Sequence, residues 1–229
     1  MIEFTRKIGI WGDSILKGVV FDEVKGIYEM LADNCVERVS RILGMPILNK
    51  ARFGCTIDKG FNHLERSIKN GLDCDLVLLE FGGNDCDFDW PAVAAEPDRV
   101  HLPHTDLENF KKILQEMITL LRGHQIEPLL MSLPPIVGER YFDFIVGRGL
   151  DRANMLHYLG DKHQIYRFHE SYSLAVTQMA ALNRCLYAPV RERFLATRNS
   201  PDLICADGIH PNGRGHQLMQ QVFTDMAIS

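Results

Sequence analysis

The amino-acid sequence predicts an α/β fold built on a parallel sheet. Short apolar runs alternate along the chain with stretches of helical period, the pattern of successive strand and helix units. The strongest run, Leu76-Val77-Leu78-Leu79-Glu80-Phe81, is nearly all apolar, as expected of a strand covered on both faces. The 229 residues fall between one and two typical domains. One is favoured, because α/β folds often exceed 200 residues and no repeat, low-complexity tract or linker divides the chain. Residues 1–229 are therefore expected to form one domain.

Taken in order, Ile8-Gly9-Ile10-Trp11 reads as the first strand. Residues 18–30 suit a hairpin better than a helix, with Gly26 between the β-rich flanks Val19-Val20-Phe21 and Ile27-Tyr28. A helix follows over 36–43, apolar at 36, 39, 42 and 43 and ended by Gly44. Residues 46–49 form the second strand, 57–68 a helix and 76–81 the third strand. The helix over 106–121 has a long apolar stripe, with Thr105 as expected N-cap and Glu108 completing a capping box. Residues 128–133 give a fourth strand, stopped by Pro134-Pro135. A helix starts at Glu170, Leu186-Tyr187-Ala188 is a weaker fifth strand, and the last helix covers 213–226. Two long connections, 85–104 and 136 to about 170, suggest a lid, a binding wall or a helical excursion packed on the body.

Hydrophobic residues at 46% and charged residues at 24% exclude disordered, collagen-like and coiled-coil classes. The net charge of −5 gives no electrostatic basis for binding nucleic acid, and no polybasic tract addresses a membrane. No apolar run reaches the ~18 residues of a transmembrane helix. The first residues carry no signal-peptide pattern, so a cytoplasmic location is expected. The six Cys contain no C-x-x-C pair and are expected as reduced thiols.

Four blocks carry candidate chemistry: Gly12-Asp13-Ser14 after strand one, Asn49 to Thr56 with Gly54 after strand two, Gly82-Gly83-Asn84-Asp85 after strand three, and Asp207-Gly208-Ile209-His210-Pro211 before the last helix. Singly, each reads as a turn or a helix cap. Jointly they fall on one rim, where open α/β sheets bind ligands. There they supply what acyl transfer needs: Ser14 as nucleophile, His210 as base, Asp207 to orient the His, and an oxyanion hole of the Ser14 and Gly54 amides with the Asn84 side chain. One such donor is worth ~2.7–4 kcal/mol in the barrier.

Together the blocks resemble the SGNH hydrolases, also called the GDSL family of esterases and lipases. The family's four naming residues match Ser14, Gly54, Asn84 and His210, and its Asp three residues before the His matches Asp207. The blocks come in family order from residue 8 to about 216, and Ile15 stands where the name motif has Leu. The resemblance implies a flavodoxin-like three-layer α/β/α sandwich with a five-stranded parallel sheet. It also implies a two-step acyl-enzyme hydrolysis that uses no metal and no organic cofactor.

Other signals are weaker. The α/β-hydrolase elbow G-x-S-x-G is absent around Ser14, and neither a P-loop nor G-x-G-x-x-G can be read near Gly12. Residues 85–96 mimic a calcium loop but carry Trp90 where that loop needs Gly. The acidic stretch is expected to be solvated, or to bias the pocket against anionic substrates, and Trp90 either stacks on a substrate ring or covers the core. His216 is expected as a cap or surface residue, and Cys55, Cys86 and Cys205 as buried small hydrophobes. The favoured function is a serine esterase acting on a short acyl group, such as acetyl, on a carbohydrate or small alcohol. A thioesterase or lysophospholipase, and a non-hydrolytic transferase or binding module, are the alternatives. The expected partner is a small-molecule or carbohydrate ester, with no nucleic acid and no membrane; the oligomeric state is left open.

Overall fold

The computed structural model describes residues 7–228. Its strands are β1 (Ile8–Gly12), β2 (Val19–Asp22), β3 (Ile27–Met30), β4 (Leu48–Asn49), β5 (Leu76–Glu80), β6 (Glu127–Met131) and β7 (Leu186–Ala188). The helices are α1 (Ser14–Lys17), α2 (Cys35–Leu43), α3 (Ile57–Lys69), α4 (Trp90–Ala95), α5 (Leu107–Gly123), α6 (Gly138–Val146), α7 (Arg152–Leu159), α8 (His163–Asn183), α9 (Val190–Ala196) and α10 (Gly213–Ile228). Five strands form a parallel sheet in the order β4-β1-β5-β6-β7, while β2 and β3 pair as a separate antiparallel hairpin.

Strand alternation sends successive side chains into opposite layers. Trp11, Val77 and Leu79 pack against α3, α5 and α8. Ile10, Leu76 and Leu78 pack against α2, α9 and α10. The sheet is thus covered on both faces, which explains why β5 reads as an unbroken apolar run. Gly12 lets β1 approach β5 closely: a Cβ there would lie 2.9 Å from the Glu80 carbonyl oxygen.

The two long connections are helical. They contribute α4, α6, α7 and the start of α8, and these share a third core with Phe88, Trp90, Phe142 and Met155. The helix expected from Glu170 begins at His163 and has no side-chain cap. Polar His163, Gln164 and Arg167 dilute its first turns, yet Ile165, His169 and Tyr172 already form the buried stripe. The N-cap of α5 is Asp106, not Thr105: the Asp106 carboxylate accepts from the Asn109 N–H at 3.0 Å. Thr105 is buried and donates its own N–H to the Asp85 carbonyl. Glu108 pairs with Lys111 rather than closing a capping box. Among the described residues no helix is long and apolar enough to cross a membrane.

Candidate active site

Ser14 opens the one-turn helix α1 immediately beyond β1, with Asp13 as its cap through an Ile15 N–H···Oδ1 bond of 2.8 Å. Its hydroxyl lies 2.8 Å from His210 Nε2, and His210 Nδ1 lies 2.5 Å from Asp207 Oδ2. A carboxylate only accepts, so Nδ1 carries the imidazole proton and Nε2 offers its lone pair to the Ser14 O–H. The other Asp207 oxygen accepts the N–H groups of Ile209 and His210 at 3.2 Å each. The loop holding both residues is fixed from outside. Val137 N–H donates to the Gly208 carbonyl, and Arg140 donates to the carbonyls of Ile204 and Cys205. Gly208 has φ +83°, and a Cβ there would meet Tyr141 N at 2.4 Å.

The Ser14 and Gly54 N–H groups have no protein partner among the described residues, and both residues line one cleft with Asn84. Gly54 sits in a turn closed by Cys55 N–H to the Arg52 carbonyl, with φ +66°, a conformation any other L-residue would strain to hold. Asn84 spends one amide hydrogen on Asp13 Oδ2 at 2.8 Å, which leaves the second for the cleft. The structure therefore brings all five predicted site residues to the carboxyl ends of β1, β4 and β5. The cleft occupies about 820 Å³ including its open mouth. Tyr28 from the hairpin meets the His210 ring edge-on at 5.2 Å, and Phe53 lies parallel to it at 6.3 Å. Among the described residues, no group of three or more His, Cys, Asp or Glu is placed to hold a metal ion.

Sequence reasoning missed the carboxyl pair beneath this site. Glu80 is buried, its Oε2 accepts the Asp13 N–H at 3.3 Å, and its Oε1 has no partner. Burial, reinforced by the neighbouring Asp13 charge, holds Glu80 well above the ordinary carboxylate range. Asp13 is also raised by burial but accepts two N–H bonds, so Asp13 is the anion and Glu80 keeps its proton. The legible signal was a single acidic residue inside an apolar strand. Glu80→Gln, which preserves a donor and an acceptor, is expected to keep kcat within about tenfold. Glu80→Leu strands the Asp13 N–H and is expected to lower stability by about 1–3 kcal/mol; urea unfolding of the two variants checks the contrast.

The acidic stretch is solvated only at Asp89, the exposed cap of α4. Asp85 is buried and accepts the Ile57 N–H at 2.9 Å, and burial raises its pKa to about 6. Asp87 accepts from the Trp90 indole N–H and the Tyr141 hydroxyl, so Trp90 is tied into the third core while one side of it lines the cleft. His216 is not a surface residue: it is fully buried, its Nδ1 accepts the N–H of Cys35, the first residue of α2, and burial lowers its pKa to about 4. Cys55, Cys86 and Cys205 are buried, as expected. His169 lines the cleft with its Nδ1 3.4 Å from Arg191, and burial followed by the Arg charge lowers it to about 3. Both histidines are neutral in the fold, and their folded pKa values lie below the ordinary 6.5. The unfolded chain takes up protons first as pH falls, so stability declines from about pH 6.5 towards 4. His216→Gln is expected to shrink the stability difference between pH 7 and pH 4 by on the order of 3 kcal/mol, read from urea midpoints.

A parallel-sheet α/β fold that aligns a hydroxyl, an imidazole and a carboxylate at its strand ends has the architecture of an acyl hydrolase. The family described as GDSL-like lipase/acylhydrolase matches residues 10–218, and the chain belongs to it. The structure is similar to that of a lipase/acylhydrolase from Enterococcus faecalis, at 19% identity and TM-score 0.65, over 96% of this chain and 94% of that one. It is similar also to a GDSL-like lipase from Bacteroides thetaiotaomicron, at 15% identity and TM-score 0.63, over 99% and 89%. A third likeness is to an acetylxylan esterase from Geobacillus stearothermophilus, at 19% identity and TM-score 0.63, over 96% and 93%. No curated protein matches the sequence.

Proposed function

We propose that the protein is a serine esterase that hydrolyses a carboxylic ester bearing a short acyl group, such as acetyl, on a carbohydrate or other small alcohol. The observation that carries this reading is the unbroken relay from Asp207 through His210 to Ser14, at 2.5 and 2.8 Å. His210 Nε2 takes the hydroxyl proton as Ser14 Oγ bonds to the ester carbonyl carbon, and Asp207 holds the resulting imidazolium. The carbonyl oxygen becomes an oxyanion facing the Ser14 and Gly54 N–H groups and the free hydrogen of Asn84 Nδ2. Collapse breaks the bond to the alcohol oxygen, which leaves with the proton from His210. Water then attacks the acyl-Ser14 carbonyl by the same route, and the acid departs.

The cleft walls favour a short acyl group. Asp87 and His169 stand among the apolar lining residues Leu133, Ile165 and Phe168, so a long alkyl chain would press hydrocarbon against two polar groups. The likeness in fold to an acetylxylan esterase is in keeping with this. The test is hydrolysis of p-nitrophenyl acetate together with covalent labelling by a fluorophosphonate. The expected results are turnover, one label per chain located on Ser14, and rates that fall along the ester series from acetate to octanoate. A wild-type enzyme that leaves every ester and acetylated sugar intact, or a label located elsewhere, refutes the reading.

A further inference from the structure

Many of the cations of this chain meet a carboxylate. Arg38 and Arg41 meet Asp33, Arg99 meets Glu96, Arg152 meets Asp143, Arg167 meets Asp161 and Arg191 meets Glu170. One place instead gathers several cations that meet none. Arg52, Lys59, His63 and Arg66 line a single open groove beside the cleft. Among the described residues, none of the four has a carboxylate within ion-pairing distance. Lys59, His63 and Arg66 recur at helical spacing along one face of α3, and Arg52 reaches them from the β4–α3 loop, its guanidinium 3.0 Å from His63 Nε2. Two acids share α3 with these cations, Asp58, which accepts the Thr56 hydroxyl, and Glu65; neither lines the groove. His63 is lowered by burial and then by the charges of Arg52, Lys50 and Arg66, a sign of a locally positive field in a chain of net charge −5.

The groove also has a direction. Phe53 and Gly54 belong to both the groove and the cleft. Phe53 lies parallel to the His210 ring, and His210 is the group that hands its proton to the departing alcohol. Phe53 thus links the ring of this base to the groove that holds the cations. We infer that the groove receives an anionic group, a phosphate or a carboxylate, carried on the alcohol portion of the substrate. This deepens the esterase reading and rests on it. Arginine offers paired donors to such oxygens and lysine a mobile charge, and clustered exposed cations raise encounter rates with an anionic ligand by 10–10³ at low salt.

The test compares three acetyl esters of matched shape: 4-acetoxybenzamide, 4-acetoxybenzoate and 4-acetoxyphenyl phosphate. At low ionic strength kcat/KM is expected to be about 10–100-fold higher for the two anionic esters than for the amide, and the gap is expected to close in 0.5 M NaCl. Whichever anion gains more identifies the group. In the triple variant Arg52→Glu, Lys59→Glu, Arg66→Glu the preference should vanish or invert, while p-nitrophenyl acetate turnover stays within about twofold. Equal wild-type rates for all three esters, or a preference that survives in the triple variant, overturns the inference. Calorimetric titration with inorganic pyrophosphate reads the groove without turnover. Binding that is weakened at least about tenfold in the triple variant supports it, and no wild-type binding overturns it. Failure to hydrolyse any ester counts against the esterase reading alone, and the titration then still decides the groove.

Discussion

Replacing Ser14 with Ala is expected to lower kcat on p-nitrophenyl acetate by about 10⁴–10⁶-fold, with little change in the melting temperature. The size follows from what the hydroxyl does. Among the described residues it is the only protein group bonded to His210 Nε2, so its loss removes the nucleophile and leaves the base without a proton to take. What survives is the oxyanion hole and substrate binding, which alone leave roughly 10³–10⁴-fold acceleration over water. Stability is spared because among the described residues the side chain makes that single bond, at the edge of the cleft, and a lost hydrogen bond of this kind is worth about 1 kcal/mol. Steady-state kinetics with active-site titration, beside a thermal melt, measure both halves. Turnover within about tenfold of wild type would sink the mechanism.

The centre of the sheet was legible in the sequence because β1, β5 and β6 are buried on both faces. Apolar side chains fill most of the space between two helix layers, and the runs from Ile8, Leu76 and Pro128 say so directly. The hairpin was legible from Gly26, which adopts φ +68° at its turn. The start of α8 was not, because its first turns lie on the helical cap and mix buried Ile165 and His169 with solvated polar residues. The candidate site divides in the same way. Ser14, Gly54, Asn84, Asp207 and His210 stand out because acyl transfer restricts residue type at each place. Glu80 was concealed inside an otherwise apolar strand, and its role under Asp13 emerges only when β1 and β5 lie side by side. The basic groove was harder still: Arg52 and the 59/63/66 face belong to different elements, and only folding places them together.

Asp207→Asn is the second large effect, expected at about 10⁴-fold in kcat with the fold retained. Asp207 is fully buried, and its two oxygens serve different partners. One takes the backbone N–H groups of Ile209 and His210, and the other takes His210 Nδ1–H. An Asn satisfies the backbone pair with its carbonyl oxygen, and its NH₂ group must then face Nδ1. A donor facing Nδ1 makes that nitrogen an acceptor and moves the imidazole proton to Nε2, where it points at Ser14 Oγ. The hydroxyl then loses its base although every heavy atom keeps its place. The variant thus separates tautomer from geometry: KM and the melting temperature should stay near wild type while kcat collapses. In the proton NMR spectrum the signal of a carboxylate-bonded Nδ1–H, expected far downfield in wild type, should disappear. A variant that keeps kcat within about tenfold would mean that His210 holds its tautomer without Asp207, since no other carboxylate among the described residues bonds its ring.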